Sequence, residues 1–386
     1  MTNGAVQSMR MVFRWFGEGN DTVTLEQIRQ IPGVEGIVWA LHDIPAGEEW
    51  PLERIVAFRE QVVQAGFHNE VVESVNVHED IKLGRSTRDQ YIRNYIRTLE
   101  KLGHNGVKVV CYNFMPIFDW LRTDLQKELE DGSTALFFEK SRIEDLDPFE
   151  LVRRINENSS LTMPGWEPER LEHLTALFEA YTHVTEEDLW RNLAYFLEAV
   201  IPAAERSGIR MAIHPDDPPW SVFGLPRIIT SQAHLRRLLA LYDSPANGIT
   251  LCSGSLGANP KNEIVSMIYE FKDRIPFAHI RNVRVSANGD FIETSHRTQD
   301  GTVDIAGIVQ AYHDVGFTGY ARPDHGRHLW GEQCRPGYGL YDRALGIMYL
   351  WGLWDALTCN QVRHNSPVSR TETTLTGSVH TKESTL

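Results

Sequence analysis

Residues 210–254, RMAIHPDDPPWSVFGLPRIITSQAHLRRLLALYDSPANGITLCSG, decide the fold. The segment begins with a short apolar run, RMAIHP (210–215), and continues into an amphipathic stretch, SQAHLRRLLALY (231–242). It ends in a second apolar run, GITLCSG (248–254). Short apolar runs predict buried strands, whereas apolar residues spaced by three and four predict a helix. The segment therefore predicts one strand–helix–strand unit of a parallel sheet.

The same alternation continues on both sides of this unit. Strands are predicted at residues 11–16, 36–41, 69–74, 106–113, 210–215, 248–254, 277–285 and 319–325. Helices are predicted at residues 24–31, 51–66, 87–103, 189–208, 231–242, 262–275, 304–316 and 340–357. Eight alternating pairs are the number that closes a (β/α)8 TIM barrel. An open doubly wound sheet is the alternative, but the FGEGND sequence after the first strand lacks the glycine spacing of a phosphate-binding turn.

The chain of 386 residues is long enough for one such barrel of about 250 residues with an insertion. A polar and aromatic segment, about 115–186, interrupts the alternation after the fourth strand and is predicted to be that insertion. The barrel with its insertion is predicted to form a single domain over residues 9–360. Residues 361–386 are rich in Ser and Thr and poor in large apolar residues, so we expect a disordered tail.

Composition narrows the class of protein. Hydrophobic residues make up 42% and charged residues 23%, which is the balance of a soluble globular protein. The net charge of −14 argues against a nucleic-acid or membrane partner, and no apolar run approaches the roughly 20 residues that span a bilayer. The start of the chain has no signal-peptide pattern, and its four cysteines are widely spaced. We therefore expect a reduced, cytoplasmic protein.

Residues of the kind that bind metals follow the last four predicted strands. His214, Cys252, His279 and Asp324 lie at or near the ends of strands five to eight. Each alone has an ordinary structural role, but the carboxyl ends of barrel strands converge on one face, where active sites are built. The four side chains together predict a metal site. Two imidazoles, a thiolate and a carboxylate suit a first-row divalent ion rather than Ca²⁺.

Groups that move protons or bind a carboxylate lie close to these positions. His325 follows Asp324 directly, and Tyr338 lies in the glycine-lined PGYG loop, so both are candidates for acid–base catalysis. Arg322, Arg281 and Arg335 are candidates for pairing with a substrate carboxylate, because the planar guanidinium matches its two oxygens.

Two further segments contribute polar residues to the predicted face. The stretch HEDIKLG (78–84) follows the third strand, and its His78 is a candidate for contact with the substrate. Asp216 and Asp217 follow His214 and are predicted either to orient an imidazole or to form a solvated turn.

The sequence resembles the D-mannonate dehydratase family of hexuronate breakdown. The resemblance extends from about Val12 to Leu357. It is carried by FRWFGEGND (13–21), ALHDIPAGEEW (40–50), ESVNVHEDIKLG (73–84), YNFMPIFDWLRTDL (112–125), AIHPDDPP (212–219), LCSGSLG (251–257), FAHIRNV (277–283) and RPDHGRHLWGEQCRPGYGLYDRALG (322–346).

The resemblance implies a fold, a reaction and a site. It implies a barrel related to the sugar isomerases of the xylose isomerase type, and a metal-dependent lyase that converts D-mannonate to 2-keto-3-deoxy-D-gluconate. The cofactor it implies is Mn²⁺ or Fe²⁺. The family's His, Cys, His and Asp ligands match His214, Cys252, His279 and Asp324, and its proposed acid–base pair matches His325 and Tyr338.

Two alternatives compete with a dehydratase. A metal-dependent sugar isomerase or epimerase on the same barrel would keep all the oxygen atoms of its substrate. A catalytically silent metal-binding or scaffold protein would turn over no sugar acid. For the dehydratase we expect a small sugar acid as the binding partner, and a homo-oligomer, because polar insertions often form subunit contacts.

Overall fold

Twelve strands are present in the computed structural model, which describes residues 8–144 and 174–365. In chain order they are β1 (Arg10–Arg14), β2 (Gly36–Trp39), β3 (His68–Glu73), β4 (Val109–Tyr112), β5 (Asp124–Glu128), β6 (Thr134–Phe138), β7 (Arg210–Ile213), β8 (Asn247–Cys252), β9 (Phe277–His279), β10 (Val283–Val285), β11 (Phe291–Glu293) and β12 (Tyr320–Arg322). Eight of these strands close a parallel barrel in the order β1-β12-β9-β8-β7-β4-β3-β2. The predicted TIM barrel is therefore confirmed, and each of its strands overlaps a predicted run.

Helices follow the barrel strands, as the alternation predicts. The described helices are α1 (Leu25–Arg29), α2 (Leu52–Gln64), α3 (Glu79–Lys82), α4 (Arg88–His104), α5 (Lys140–Glu144), α6 (Leu174–Tyr181), α7 (Glu186–Arg206), α8 (Gln232–Leu241), α9 (Ser253–Gly257), α10 (Ile264–Phe271), α11 (Ile305–Asp314) and α12 (Tyr341–Asn365). Helix α7 begins at a capping box, in which Thr185 and Asp188 satisfy each other's backbone N–H groups. Within the described ranges, no helix is long and apolar enough to cross a bilayer.

The strand alternation sorts the barrel interior into two layers. The lower lumen layer is a buried cluster of mainly apolar side chains: Val12, Val38, Val71, Val109, Cys111, Ala212, Phe277 and Tyr320. Side chains two positions further along a strand point to the same face. The upper lumen layer therefore includes the polar side chains about two residues closer to the carboxyl ends of the strands: Arg14, Glu73, His214, Cys252, His279 and Arg322. Cys252, His279 and Arg322 lie side by side on β8, β9 and β12.

A second, four-stranded sheet was not expected. It pairs in the order β10-β11-β6-β5, and its neighbouring strands are antiparallel. The predicted seventh strand, 277–285, is consequently two strands, because the chain leaves the barrel after His279 and enters this sheet at Val283. Asp131-Gly132 and Asn288-Gly289 form its two hairpin turns, where both glycines have the positive φ that such turns need.

Two predicted segments fall partly outside the described residues. The segment predicted as an insertion, 115–186, contains β5, β6, α5 and α6, while residues 145–173 lie outside the described range. The segment predicted as a tail, 361–386, begins within α12, which ends at Asn365, and residues 366–386 also lie outside it.

Candidate metal centre and active site

Four side chains at the carboxyl end of the barrel form a tight cluster. His214 follows β7, Cys252 and His279 end β8 and β9, and Asp324 comes two residues after β12. One ligand atom from each lies within 4.8 Å of the others. Asp324 has a φ of +59°, an uncommon conformation outside glycine that occurs often at functional sites. The structure thus brings together the four residues that the sequence predicts as metal ligands.

The two imidazoles fit a bound cation. His214 Nδ1 lies 2.7 Å from the carbonyl oxygen of Pro215, which can only accept, so Nδ1 carries a proton and Nε2 is the nitrogen that can bind an ion. His279 Nδ1 is buried without a hydrogen-bond partner among the described residues. His279 Nε2 lies 3.0 Å from Arg322 Nε and 3.5 Å from Glu73 Oε1, so Nδ1 is the ring nitrogen that the surrounding groups leave to an ion.

The electrostatics of the cluster also fit a cation. Burial opposes ionisation of the Cys252 thiol, but the Arg281 guanidinium and the two imidazoles outweigh it and lower its pKa to about 5. The thiolate is the form that binds metals. Burial likewise lowers the pKa of His214, but Cys252, Asp324 and Glu73 outweigh it and raise that pKa to about 9. The raised pKa of His214 reflects the negative charges around it, which attract positive charge to the cluster.

Arg281 connects the cluster to a buried ionic network. Its Nε donates to Asp324 Oδ2 at 2.6 Å, its Nη1 to Glu293 Oε1 at 2.5 Å and its Nη2 to Asp217 Oδ2 at 2.6 Å. Arg122 binds the same two acids, Asp217 at 2.8 Å and Glu293 at 2.7 Å. Removal of any one member of this network would leave an unpaired charge in the protein interior, which is costly. It fixes the position of the Asp324 carboxylate.

His325 and Tyr338 form a hydrogen-bonded pair beside the cluster. His325 Nε2 lies 3.0 Å from the Tyr338 hydroxyl, and its Nδ1 lies 3.3 Å from Glu293 Oε1. A carboxylate only accepts, so His325 carries its proton on Nδ1 and the Tyr338 hydroxyl donates to Nε2. Burial, Asp324 and Glu73 together raise the pKa of Tyr338 to about 12, against the opposing effect of two nearby arginines.

One cavity lies against both the cluster, through two of its four residues, and this pair. His214, Asp324, His325, Tyr338 and Arg322 all line it. Arg322 Nη2 lies 2.9 Å from Glu73 Oε1 and 2.8 Å from Asp324 Oδ1, whereas its buried Nη1 has no hydrogen-bond partner among the described residues. The cavity therefore combines cation ligands, a proton-transfer pair and a guanidinium donor still available to a ligand.

Two predicted substrate-binding residues lie elsewhere. Arg281 is 1% exposed and its guanidinium is engaged by three carboxylates, so it holds Asp324 in place. His78 caps α3, stacks on Tyr91 at 3.7 Å and lines a neighbouring cavity. The structure does not bring these two side chains into the cavity of the four-residue cluster.

Several polar residues of the site were missed from the sequence. Arg14 and Glu73 lie two positions after Val12 and Val71, so strand alternation alone would have placed them in the lumen. Glu293, at the end of β11, and Arg122, two residues before β5, gave no comparable signal, because neither lies on a barrel strand. In the sequence, the Asn288-Gly289 pair indicates a hairpin turn just before the strand that carries Glu293.

Comparison with known proteins gives consistent matches over nearly the whole chain. The family model described as D-mannonate dehydratase (UxuA) matches residues 9–364. Mannonate dehydratase 1 of Bacillus licheniformis is 72% identical over 349 residues, which are 90% of this chain and 96% of that protein. The crystal structure of mannonate dehydratase from Streptococcus suis serotype 2 superposes with a TM-score of 0.84 at 47% identity, covering 92% of this chain and 96% of that one.

A more distant structure shows the fold alone. A xylose isomerase domain protein from Planctomyces limnophilus superposes with a TM-score of 0.53 at 12% identity, covering 91% of this chain and 99% of that one. The two proteins therefore share the barrel fold.

Proposed function

The chain belongs to the D-mannonate dehydratase family, and from this premise we propose that the cluster of His214, Cys252, His279 and Asp324, with the cavity beside it, is its active site. The protein is a hydro-lyase that removes water from D-mannonate to give 2-keto-3-deoxy-D-gluconate. The observation that carries the assignment of the site is the single cavity lined by two of the four cluster residues, His214 and Asp324, and by the His325–Tyr338 pair.

The four-residue cluster would hold one divalent metal ion, Mn²⁺ or Fe²⁺. The mixed nitrogen, sulfur and oxygen donors suit a first-row ion, and the unpartnered Nδ1 of His279 supports the same assignment. When bound, such an ion supplies positive charge that stabilises the negative charge developing on the sugar acid as its C2 proton leaves.

The reaction needs a base at C2 and an acid at C3, and the His325–Tyr338 pair can supply both. Tyr338 gives its hydroxyl proton to His325 Nε2, a step that its burial opposes and that the charges of the two nearby arginines, Arg322 and Arg14, favour, and the phenolate then takes the C2 proton. The protonated His325 gives its proton to the departing C3 hydroxyl, which leaves as water. Both side chains then regain their starting states, and Glu293 keeps the His325 ring oriented through Nδ1. Assigning the base to Tyr338 and the acid to His325 is part of the proposal.

Arg322 would bind the substrate carboxylate. Its Nη1 is buried at the cavity without a partner among the described residues, next to the ligand Asp324. A guanidinium N–H directed at a carboxylate forms a strong, charge-assisted hydrogen bond.

Incubation with a panel of hexonates tests the proposed function. Metal-loaded protein should convert D-mannonate to a product lighter by one water, detected by mass spectrometry and by an assay for 2-keto-3-deoxy acids. A product of unchanged mass would identify the isomerase or epimerase alternative. No conversion of any hexonate would favour the scaffold alternative.

The cellular setting and assembly complete the proposal. We place the enzyme in hexuronate breakdown in the cytoplasm, which suits a site that depends on a reduced Cys252; all four cysteines are unpaired. Trp330 is 75% exposed and contacts Tyr341, which shares an exposed face of α12 with Leu345 and Met348. This apolar face supports a homo-oligomer, and light scattering on the purified protein would measure its mass.

A further inference from the structure

Arg14 is a buried cation on the wall of the active-site cavity. It ends β1 in the upper lumen layer, is 3% exposed and lines the cavity. Strand β1 is four places from β7 in the barrel order, so Arg14 approaches the cavity from the side opposite His214. Arg14 and His214 therefore line the cavity from opposite sides of the barrel.

The partners of Arg14 are neutral. Its Nη1 donates to the Val38 carbonyl oxygen at 3.2 Å, and its Nη2 contacts His42 Nε2 at 3.0 Å. The Phe16 ring packs on the guanidinium at 4.5 Å. Over residues 8–144 and 174–365, Arg14 forms no ion pair with a carboxylate. Since a buried charge is costly unless it is paired, its position is explained best by an anion that arrives with the substrate.

Three other buried arginines at the site differ in this respect. Arg122 and Arg281 pair with Asp217 and Glu293, and Arg322 pairs with Glu73 and Asp324. Their charges are balanced within the protein. Of these four arginines, Arg14 is the one without a carboxylate within ion-pair distance among the described residues. Glu73 compensates its charge only from beyond that distance and is already paired with Arg322.

His42 extends the donor surface of Arg14. Burial and the nearby cations Arg14 and Arg335 hold the pKa of His42 well below its usual value, so its ring is neutral. Because an arginine can only donate, His42 Nε2 accepts from Arg14 and its proton lies on Nδ1. His42 lines the same cavity. The β1–β2 side of the cavity thus presents donors to a ligand.

We propose that Arg14 and Arg322 together bind the carboxylate of the sugar acid, with His42 orienting Arg14. The two arginines lie on neighbouring barrel strands, β1 and β12, and both line the cavity. Arg14 thereby determines that the enzyme accepts aldonates and discriminates against uncharged polyols of the same shape. The inference rests on the proposed function, since it requires an anionic sugar acid as substrate.

The test compares a charged and an uncharged ligand in the wild type and Arg14→Met. Turnover of D-mannonate is measured together with competitive inhibition by D-mannonamide, which keeps the hydroxyl groups but carries a neutral amide. In Arg14→Met, kcat/KM for D-mannonate should fall at least ~100-fold, as when one partner of a buried charge pair is removed. The inhibition constant of D-mannonamide should change less than about threefold. Arg10→Met, at the other end of β1, is the matched control.

Each outcome decides a different part of the account. An equal change for both ligands, or no change for either, would overturn the assignment of Arg14. If the wild type does not dehydrate D-mannonate, the proposed function fails instead. If Arg14→Met does not fold, Arg14→Lys answers the same question. Lysine keeps the charge but lacks the planar fork, so KM for D-mannonate should rise at least ~10-fold while D-mannonamide binds unchanged.

Discussion

The lower and upper lumen layers of the barrel differ in chemistry although they are two residues apart on the same strands. On β7, Ala212 belongs to the lower layer and His214 to the upper, and on β9 Phe277 and His279 are related in the same way. The lower layer is almost entirely apolar and buried, whereas the upper layer carries charges that pair with one another or face the cavity. Two residues along a strand therefore separate the packed apolar core from the side chains proposed to bind the metal and the substrate.

The contrast shows how this barrel keeps stability and chemistry apart. Apolar burial in the lower layer stabilises the fold and makes few demands on orientation. The upper layer consists of groups that are costly to bury and must be held by partners, as Arg281 holds Asp324. Substitutions in the two layers should consequently affect different measurements.

Replacement of Cys252, one of the two buried cysteines, should have the largest effect. Cys252→Ser should weaken binding of Mn²⁺ at least ~10-fold and abolish measurable turnover, because a thiolate ligand is lost. His279→Ala and Asp324→Ala should weaken Mn²⁺ binding and turnover in the same way as Cys252→Ser. Cys111→Ser in the lower layer is the matched control, since Cys111 is equally buried but accepts a hydrogen bond from Thr250. Metal content by elemental analysis separates the two; full occupancy in Cys252→Ser would remove the upper layer from metal binding.

Loss of either member of the proton-transfer pair should have the next largest effect. His325→Asn and Tyr338→Phe should each lower kcat by about 10²–10⁴, the usual contribution of a positioned acid or base, while metal content stays the same. Exchange of the C2 hydrogen in deuterated solvent separates the two roles. Tyr338→Phe should not exchange this hydrogen at any pH. His325→Asn, which has lost the acceptor of the Tyr338 proton, should regain exchange without elimination as the pH rises and solvent deprotonates Tyr338. The opposite pattern would exchange the roles, and near-normal turnover in both would exclude the pair.

A lower-layer substitution should affect stability and leave activity largely intact. Val71→Ala removes two methyl groups directly below Glu73 on β3, and we expect the free energy of unfolding to fall by about 2 kcal/mol. Denaturant titration measures this loss, and kcat should stay within about twofold of the wild type. A large loss of kcat with unchanged stability would mean that the two layers are not separable.

The smallest effect is expected at His78, which belongs to neither layer. It lines the neighbouring cavity and stacks on Tyr91, so His78→Ala should change kcat/KM less than about threefold. Steady-state kinetics with D-mannonate measures the change. A tenfold or greater loss would instead support the prediction, made from sequence, that His78 contacts the substrate.

The sequence predicts the barrel and the metal ligands better than it predicts the residues that orient those ligands. The barrel and the cluster of His214, Cys252, His279 and Asp324 follow from local patterns, because each donor stands at the end of its own strand. The partners that orient these donors do not follow. Glu293 reaches His325 through a strand of three residues whose pairing is set by contacts distant in the chain. The continuous run at 277–285 also hides the break at Arg281, whose side chain turns inward to three carboxylates.

The central claim, that the upper lumen layer is a metal centre that dehydrates D-mannonate, is tested most directly by a metal titration of activity. Chelator-treated wild-type protein is titrated with Mn²⁺ while the product lighter by one water is measured. We predict no product without metal, a rise to a break at about one ion per chain, and no such break in Cys252→Ser. Undiminished dehydration by the chelated wild type, or a wild-type curve in Cys252→Ser, would contradict the account.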